Sequence, residues 1–110
     1  MAYHCGVEVT AEIIGGKWTP VILAHLKEGR RRYAELRRLV PGITEKMLTQ
    51  RLRELADNGI VERIQVAATP PHVEYDLTPT GRTLAPILQA MWDWGEERAR
   101  QQNLIIDRLN

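Results

Sequence analysis

The sequence has a single cysteine, Cys5, so no disulfide can close within the chain and no cysteine-based metal cluster can form. Serine and phenylalanine do not occur at all, and aromatic residues make up only 5%. Without serine there is no serine nucleophile. His4, His25 and His72 are scattered over separate segments, and no glycine-rich phosphate loop accompanies them. An enzyme is therefore not expected, and neither is a metal or a cofactor. His25, set among apolar residues at helical spacing, reads as a satisfied core histidine rather than a catalyst. No apolar run approaches the roughly 18 residues of a membrane span. The opening Met1-Ala2-Tyr3-His4-Cys5 has neither a basic stretch nor an apolar core, which argues against a secretory signal. A soluble cytoplasmic protein without membrane contact is expected.

What is present is one domain's worth of chain, 110 residues with 44% hydrophobic and 26% charged side chains. Fifteen basic and fourteen acidic residues leave a net charge of +1, but the distribution is uneven. Residues 1–16 carry −2, and residues 55–110 carry −3. Between them, residues 17–54 gather ten basic side chains against four acidic ones. Such a field favours one face meeting an anion, although a charge run alone also fits a solvated helix surface.

Hydrophobic spacing predicts helices over Val7–Ile14, Lys17–Lys27 and Tyr33–Leu39, with Gly15-Gly16, Gly29 and Pro41-Gly42 as stops. A fourth helix is best defined. Thr44 is its expected N-cap, Ile43 and Leu48 occupy hydrophobic-staple positions, and Asn58-Gly59 ends it. At about 100° per residue Leu48, Leu52 and Leu55 point inward. Lys46, Thr49, Gln50 and Arg53 fall on the opposite side. The period then changes to two: Ile60–Val66 and Val73–Leu77 read as strands, joined by an extended loop containing Pro70-Pro71. Thr78-Pro79 opens one further helix, with a stripe of Leu84, Leu88 and Met91 widened by Ile87, Trp92 and Trp94. Beyond Glu96 come a polar stretch and an apolar cluster of Leu104, Ile105, Ile106 and Leu109. Two short helices joined at Pro-Gly and followed by a hairpin make a helix-turn-helix with a wing.

Several blocks in this order carry a family likeness. They are Cys5-x-Val7-Glu8, Ile14-Gly15-Gly16-Lys17-Trp18-Thr19 and Arg32-Tyr33-x-Glu35-Leu36. Lys46-Met47-Leu48-Thr49-Gln50-Arg51-Leu52-Arg53-Glu54-Leu55 with Asn58-Gly59 follows. Pro70-Pro71-x-Val73-Glu74-Tyr75-x-Leu77-Thr78-x-x-Gly81 and Trp94-Gly95 close the series. From Cys5 to Gly95 the chain resembles the HxlR-type winged helix-turn-helix transcription regulators, relatives of the MarR group. The resemblance implies a dimeric, site-specific DNA-binding regulator, often a repressor. His72 stands where family members commonly carry arginine, and the tail after Gly95 is longer than the pattern requires.

The expected fold is mainly α with a small two-stranded β-hairpin, a single winged helix-turn-helix domain over 1–110. The helix-turn-helix would span about 33–58, hairpin and wing 60–78, and a C-terminal dimerisation helix and tail 79–110. On double-stranded DNA, Lys46, Thr49, Gln50 and Arg53 would read base edges. Arg31, Arg32, Arg37 and Thr44 are candidates for phosphate contacts, and Thr69 and His72 for the wing. Trp18, Tyr33 and Tyr75 are expected in the core. A homodimer would pair the N- and C-terminal helices through Ile13, Ile87, Met91, Trp92 and Trp94 and call for a pseudo-palindromic operator. In some members of the family a cysteine at the position of Cys5 senses quinones, aldehydes or oxidants; a small packing residue is the alternative reading. A winged helix that docks on protein instead of DNA is the rival function.

Overall fold

A computed structural model describes residues 2–107. Leu109, grouped above with the apolar tail, lies outside the described residues together with the rest of 108–110. Helix α1 (Gly6–Ile14) begins after Cys5 and is closed by Gly15, whose N–H donates to the Ala11 carbonyl at 2.7 Å. Helix α2 (Thr19–Glu28) holds Pro20 in its first turn, where a missing N–H costs nothing, and buries Ile22, Leu23 and Leu26 completely. A two-residue strand β1 (Arg31–Arg32) leads into α3 (Tyr33–Leu39), which buries Leu36. Helix α4 (Glu45–Asp57) follows, then strands β2 (Val61–Val66) and β3 (His72–Leu77). The chain ends in α5 (Pro79–Arg82) and α6 (Ala85–Gln102).

Two features differ from the sequence expectation. The hairpin is three-stranded: β1 pairs antiparallel with β3, giving the order β1-β3-β2 with Arg31 and Arg63 both opposite Tyr75. Two residues are too few to show a period, so β1 left no trace in the alternation pattern. The expected single C-terminal helix is broken between Arg82 and Ala85. Pro86 has no N–H to give the Arg82 carbonyl, and Thr83 and Leu84 instead bond three residues back, to Thr80 and Gly81.

The core sits where α2, α3 and α4 meet one face of the sheet. Leu36, Leu48, Leu52, Leu55 and Val40 join the α2 residues there, with Tyr75 and Leu77 from β3. Two glycines fix how α4 and α5 are joined. Gly59 ends α4 at φ +72°, a region L side chains rarely adopt. A Cβ on Gly81 would lie 2.1 Å from the Ile60 carbonyl oxygen, so only glycine lets α5 approach β2 this closely. Thr78 caps α5 by accepting from the Gly81 N–H at 3.0 Å and donates to the Gly59 carbonyl at 2.6 Å. Among the described residues, no helix is long and apolar enough to cross a membrane.

Candidate nucleic-acid interface

Helix α4 owes its exact start to Thr44, whose hydroxyl accepts the Met47 N–H at 3.1 Å. With the start fixed, the helical period decides the rest. Leu48, Leu52 and Leu55 are buried, while Lys46, Thr49, Gln50 and Arg53 are all exposed on the other side. The four expected base-reading residues therefore lie on one outward face. Lys46 and Arg53 have no ion-pair or hydrogen-bond partner among the described residues. Gln50 donates to Glu54 at 3.2 Å and Arg51 pairs with the same carboxylate at 3.0 Å. Exposed pairs one turn apart contribute about 0.2–0.5 kcal/mol and exchange readily for an external partner.

Thr49 is set by a neighbour the sequence pattern did not reveal. The Tyr33 hydroxyl donates to the Glu45 carbonyl at 3.2 Å and lies 2.9 Å from the Thr49 hydroxyl. Tyr33 is partly buried against the core, as are Trp18 and the more deeply buried Tyr75, so these three aromatic residues pack against the core. Tyr33 thus orients α3 and α4 at the turn between them.

The expected phosphate contacts divide. Arg32 is exposed at the start of α3, where its backbone N–H donates to Glu35 at 3.1 Å, and its guanidinium forms no ion pair among the described residues. Arg31 is turned inward: its Nε donates to the His25 carbonyl at 3.4 Å and its guanidinium lies 3.7 Å from Glu35. Burial and the Arg31 charge hold His25 below the usual histidine range, opposed by a hydrogen bond with the Leu39 backbone. Arg37 stands exposed 3.9 Å from Glu45, and Thr44 keeps its hydroxyl proton for an outside acceptor. On strand β2, Arg63 shares the face of Val61 and Gln65 and turns toward α4 without a partner. Strict alternation from buried Val61 would have pointed to it.

The wing loop spans residues 67–71 and leaves Thr69 exposed at its tip. His72 differs from the expectation, being the first residue of β3 rather than part of the loop. It is 2.7 Å from Glu74 through Nε2 and 3.3 Å from the Pro70 carbonyl through Nδ1, with its side chain only 18% exposed. Glu74 in turn accepts from Arg30. These bonds hold the Glu74 carboxyl below its ordinary range, His72 contributing most. The histidine therefore braces the wing's base.

Of the expected contact residues between α1 and α6, Ile87, Met91, Trp92 and Trp94 are exposed, Trp94 at 71%. Ile13 is instead partly buried against the core, whereas Val7 and Val9 on α1 stay exposed. Cys5 is exposed at the N-cap position of α1.

The model of the HxlR-like helix-turn-helix family matches residues 13–103, which takes in α4, the wing and all of α6. The chain belongs to the HxlR-like helix-turn-helix family. It is 53% identical over 93 residues to the HTH-type transcriptional regulator YtcD of Bacillus subtilis, covering 84% of this chain and 74% of that one. The redox regulator HypR in its reduced form superposes with a TM-score of 0.83 at 44% identity, covering 92% of this chain and 100% of HypR. The reduced form of the regulator YodB from B. subtilis gives 0.74 at 35% identity, over 86% and 94%. The HxlR-like chain is thus a winged helix-turn-helix transcriptional regulator and not an enzyme.

Proposed function

We propose that this HxlR-like regulator binds a pseudo-palindromic operator in double-stranded DNA as a homodimer and acts as a repressor. The observation that carries this reading is the outward face of α4, where Lys46, Thr49, Gln50 and Arg53 are exposed together above a buried leucine face. Arg presents a fork matched to guanine and Gln one matched to adenine, each discriminating by about 1–3 kcal/mol. Arg32, Arg63, Arg37 and the Thr44 hydroxyl surround that face and would hold phosphates, with Thr69 following the backbone at the wing. A docking module needs no such set of exposed guanidiniums, which places the protein-binding reading second.

The dimer would bury the exposed apolar residues of α1 and α6: Val7 and Val9 with Ile87, Met91, Trp92 and Trp94, and Ile13 at the margin. The regulator would answer oxidants or small electrophiles through Cys5, a reading supported by its similarity to the redox regulator HypR. Two Cys5 thiols joined across the dimer lose two electrons and two protons to the oxidant; an electrophile instead adds to one thiolate.

Selection of bound fragments from mixed genomic DNA at rising salt tests the main reading. Enrichment of one inverted repeat, with affinity falling steeply as salt rises, is expected. No enrichment, or binding indifferent to salt, would leave the docking alternative. For the sensor, Cys5→Ala is expected to bind DNA normally and to lose any response to oxidant. An unchanged response would remove Cys5 from the mechanism.

A further inference from the structure

Tyr33 and Thr49 stand on the wall of the cleft between α4 and the sheet, which Arg32 and Arg53 also border. Their hydroxyl oxygens are 2.9 Å apart, and the Tyr33 oxygen is also 3.2 Å from the Glu45 carbonyl. What each group can donate fixes where the protons go. A carbonyl only accepts and a phenol has one proton to give, so the Tyr33 proton goes to Glu45. The proton between the two hydroxyls is then the one that Thr49 supplies. Thr49 is exposed, yet it spends its side-chain donor inside the protein.

The consequence lies in the rotamer. Threonine in a helix divides between two χ1 positions, and the bond to Tyr33 selects one of them. With the hydroxyl arm of Cβ turned to Tyr33 on α3, the arm left for an outside partner is the γ-methyl. On a base edge in the major groove a methyl group matches the 5-methyl of thymine, whereas a free hydroxyl serves donors and acceptors alike. We propose that Tyr33 is a positioning residue that makes Thr49 a reader of thymine methyl groups. The methyl contact rests on the DNA reading above; the hold of Tyr33 on Thr49 does not. Tyr33→Phe keeps the partly buried ring, and the Glu45 carbonyl keeps the Thr49 N–H as its helical partner, so the variant leaves no group orphaned.

The test replaces each thymine of the selected DNA fragment in turn by deoxyuridine, which lacks only the methyl. In the wild type, one step in each half-site is expected to weaken binding about fourfold per half-site, as one apolar methyl contact should. Tyr33→Phe should bring that ratio close to one while the other steps keep their preference. Thr49→Val carries a methyl on both arms of Cβ and should keep the ratio, with or without Tyr33→Phe. Loss of the ratio in Thr49→Val, or a wild type indifferent to deoxyuridine at every step, would overturn the proposal. So would a Tyr33→Phe protein that binds every sequence more weakly with the thymine ratio intact, since that is a structural effect alone. A second arm uses the free protein. Three-bond couplings at Thr49 should report one χ1 rotamer in the wild type and a mixture in Tyr33→Phe, and a mixture in both overturns the positioning. A chain that binds no fragment would sink the DNA reading and the methyl contact with it, while the couplings still decide whether Tyr33 holds Thr49.

Discussion

Arg53 and Arg32 border the same cleft, yet their backbones place them differently against a duplex. Arg53 projects from the middle of the helix that would enter the groove, while Arg32 sits where β1 passes into α3, beside it. Arg53→Ala is expected to cost about 1–3 kcal/mol on the preferred site and to relax choice at one base pair. Arg32→Ala should weaken all sequences alike and lower the salt slope by about one. Binding to a panel of operator variants at several salt concentrations separates the two, and matching profiles would contradict the division. Glu74 gives a second expectation at this scale. Its carboxyl is held below the ordinary 4.5 by His72 and then Arg30, so the ionised form is the one the fold favours. The stabilisation is complete above that ordinary value and fades as pH falls through the lower, folded value. Thermal unfolding should find wild type above Glu74→Gln at about pH 6, with the gap closing toward about pH 3. A gap that widens on acidification would refute the assignment. The outward α4 residues were legible because one period fixes a whole helix face. The Tyr33 bond to Thr49 was not, since it joins residues on two helices whose crossing no local pattern encodes.

At the scale of elements, punctuation in the chain did most of the work. Gly29, Pro41-Gly42, Thr44 and Asn58-Gly59 bound α2, α3 and α4 close to their observed limits, because each stop or cap acts within one turn of itself. Pro86 acts the same way, but it lies inside the stripe of Leu84, Leu88 and Met91 that the period joins into one helix, so the break before Ala85 does not show in that pattern. The third strand depends on pairing with β3 across more than forty residues of sequence, which a two-residue segment cannot announce. Gly81 offers the sharpest test of how these pieces fit. A methyl group there would meet the Ile60 carbonyl at 2.1 Å, so α5 or β2 must shift. Gly81→Ala is expected to destabilise by about 1–3 kcal/mol, the usual cost of overfilling a packed site, although alanine is the better helix former. Denaturant unfolding reads it directly, and a neutral or stabilising result would show that the α5–β2 approach is not tight.

For the whole molecule, shape and surface point the same way. The radius of gyration is 15.0 Å, against about 13 Å for a compact domain of this length. The excess fits α1 and α6, which carry Val7 at 75% and Met91 at 45% exposure around a shared apolar cleft that also takes in Ala11 and Ile87. A second copy related by a two-fold axis would cover this surface and set two α4 helices against half-sites about 34 Å apart. Met91→Glu places a charge on that face at a position that is 45% exposed. The wild type is expected to sediment as a dimer and the variant as a monomer that keeps its helical circular dichroism and loses about 100-fold or more in operator affinity. The last figure follows because the second half-site no longer binds at the high effective concentration a linked partner provides. A Met91→Glu protein that remains dimeric and binds normally would move the interface elsewhere, and the exposed face of α1 and α6 would then need another occupant.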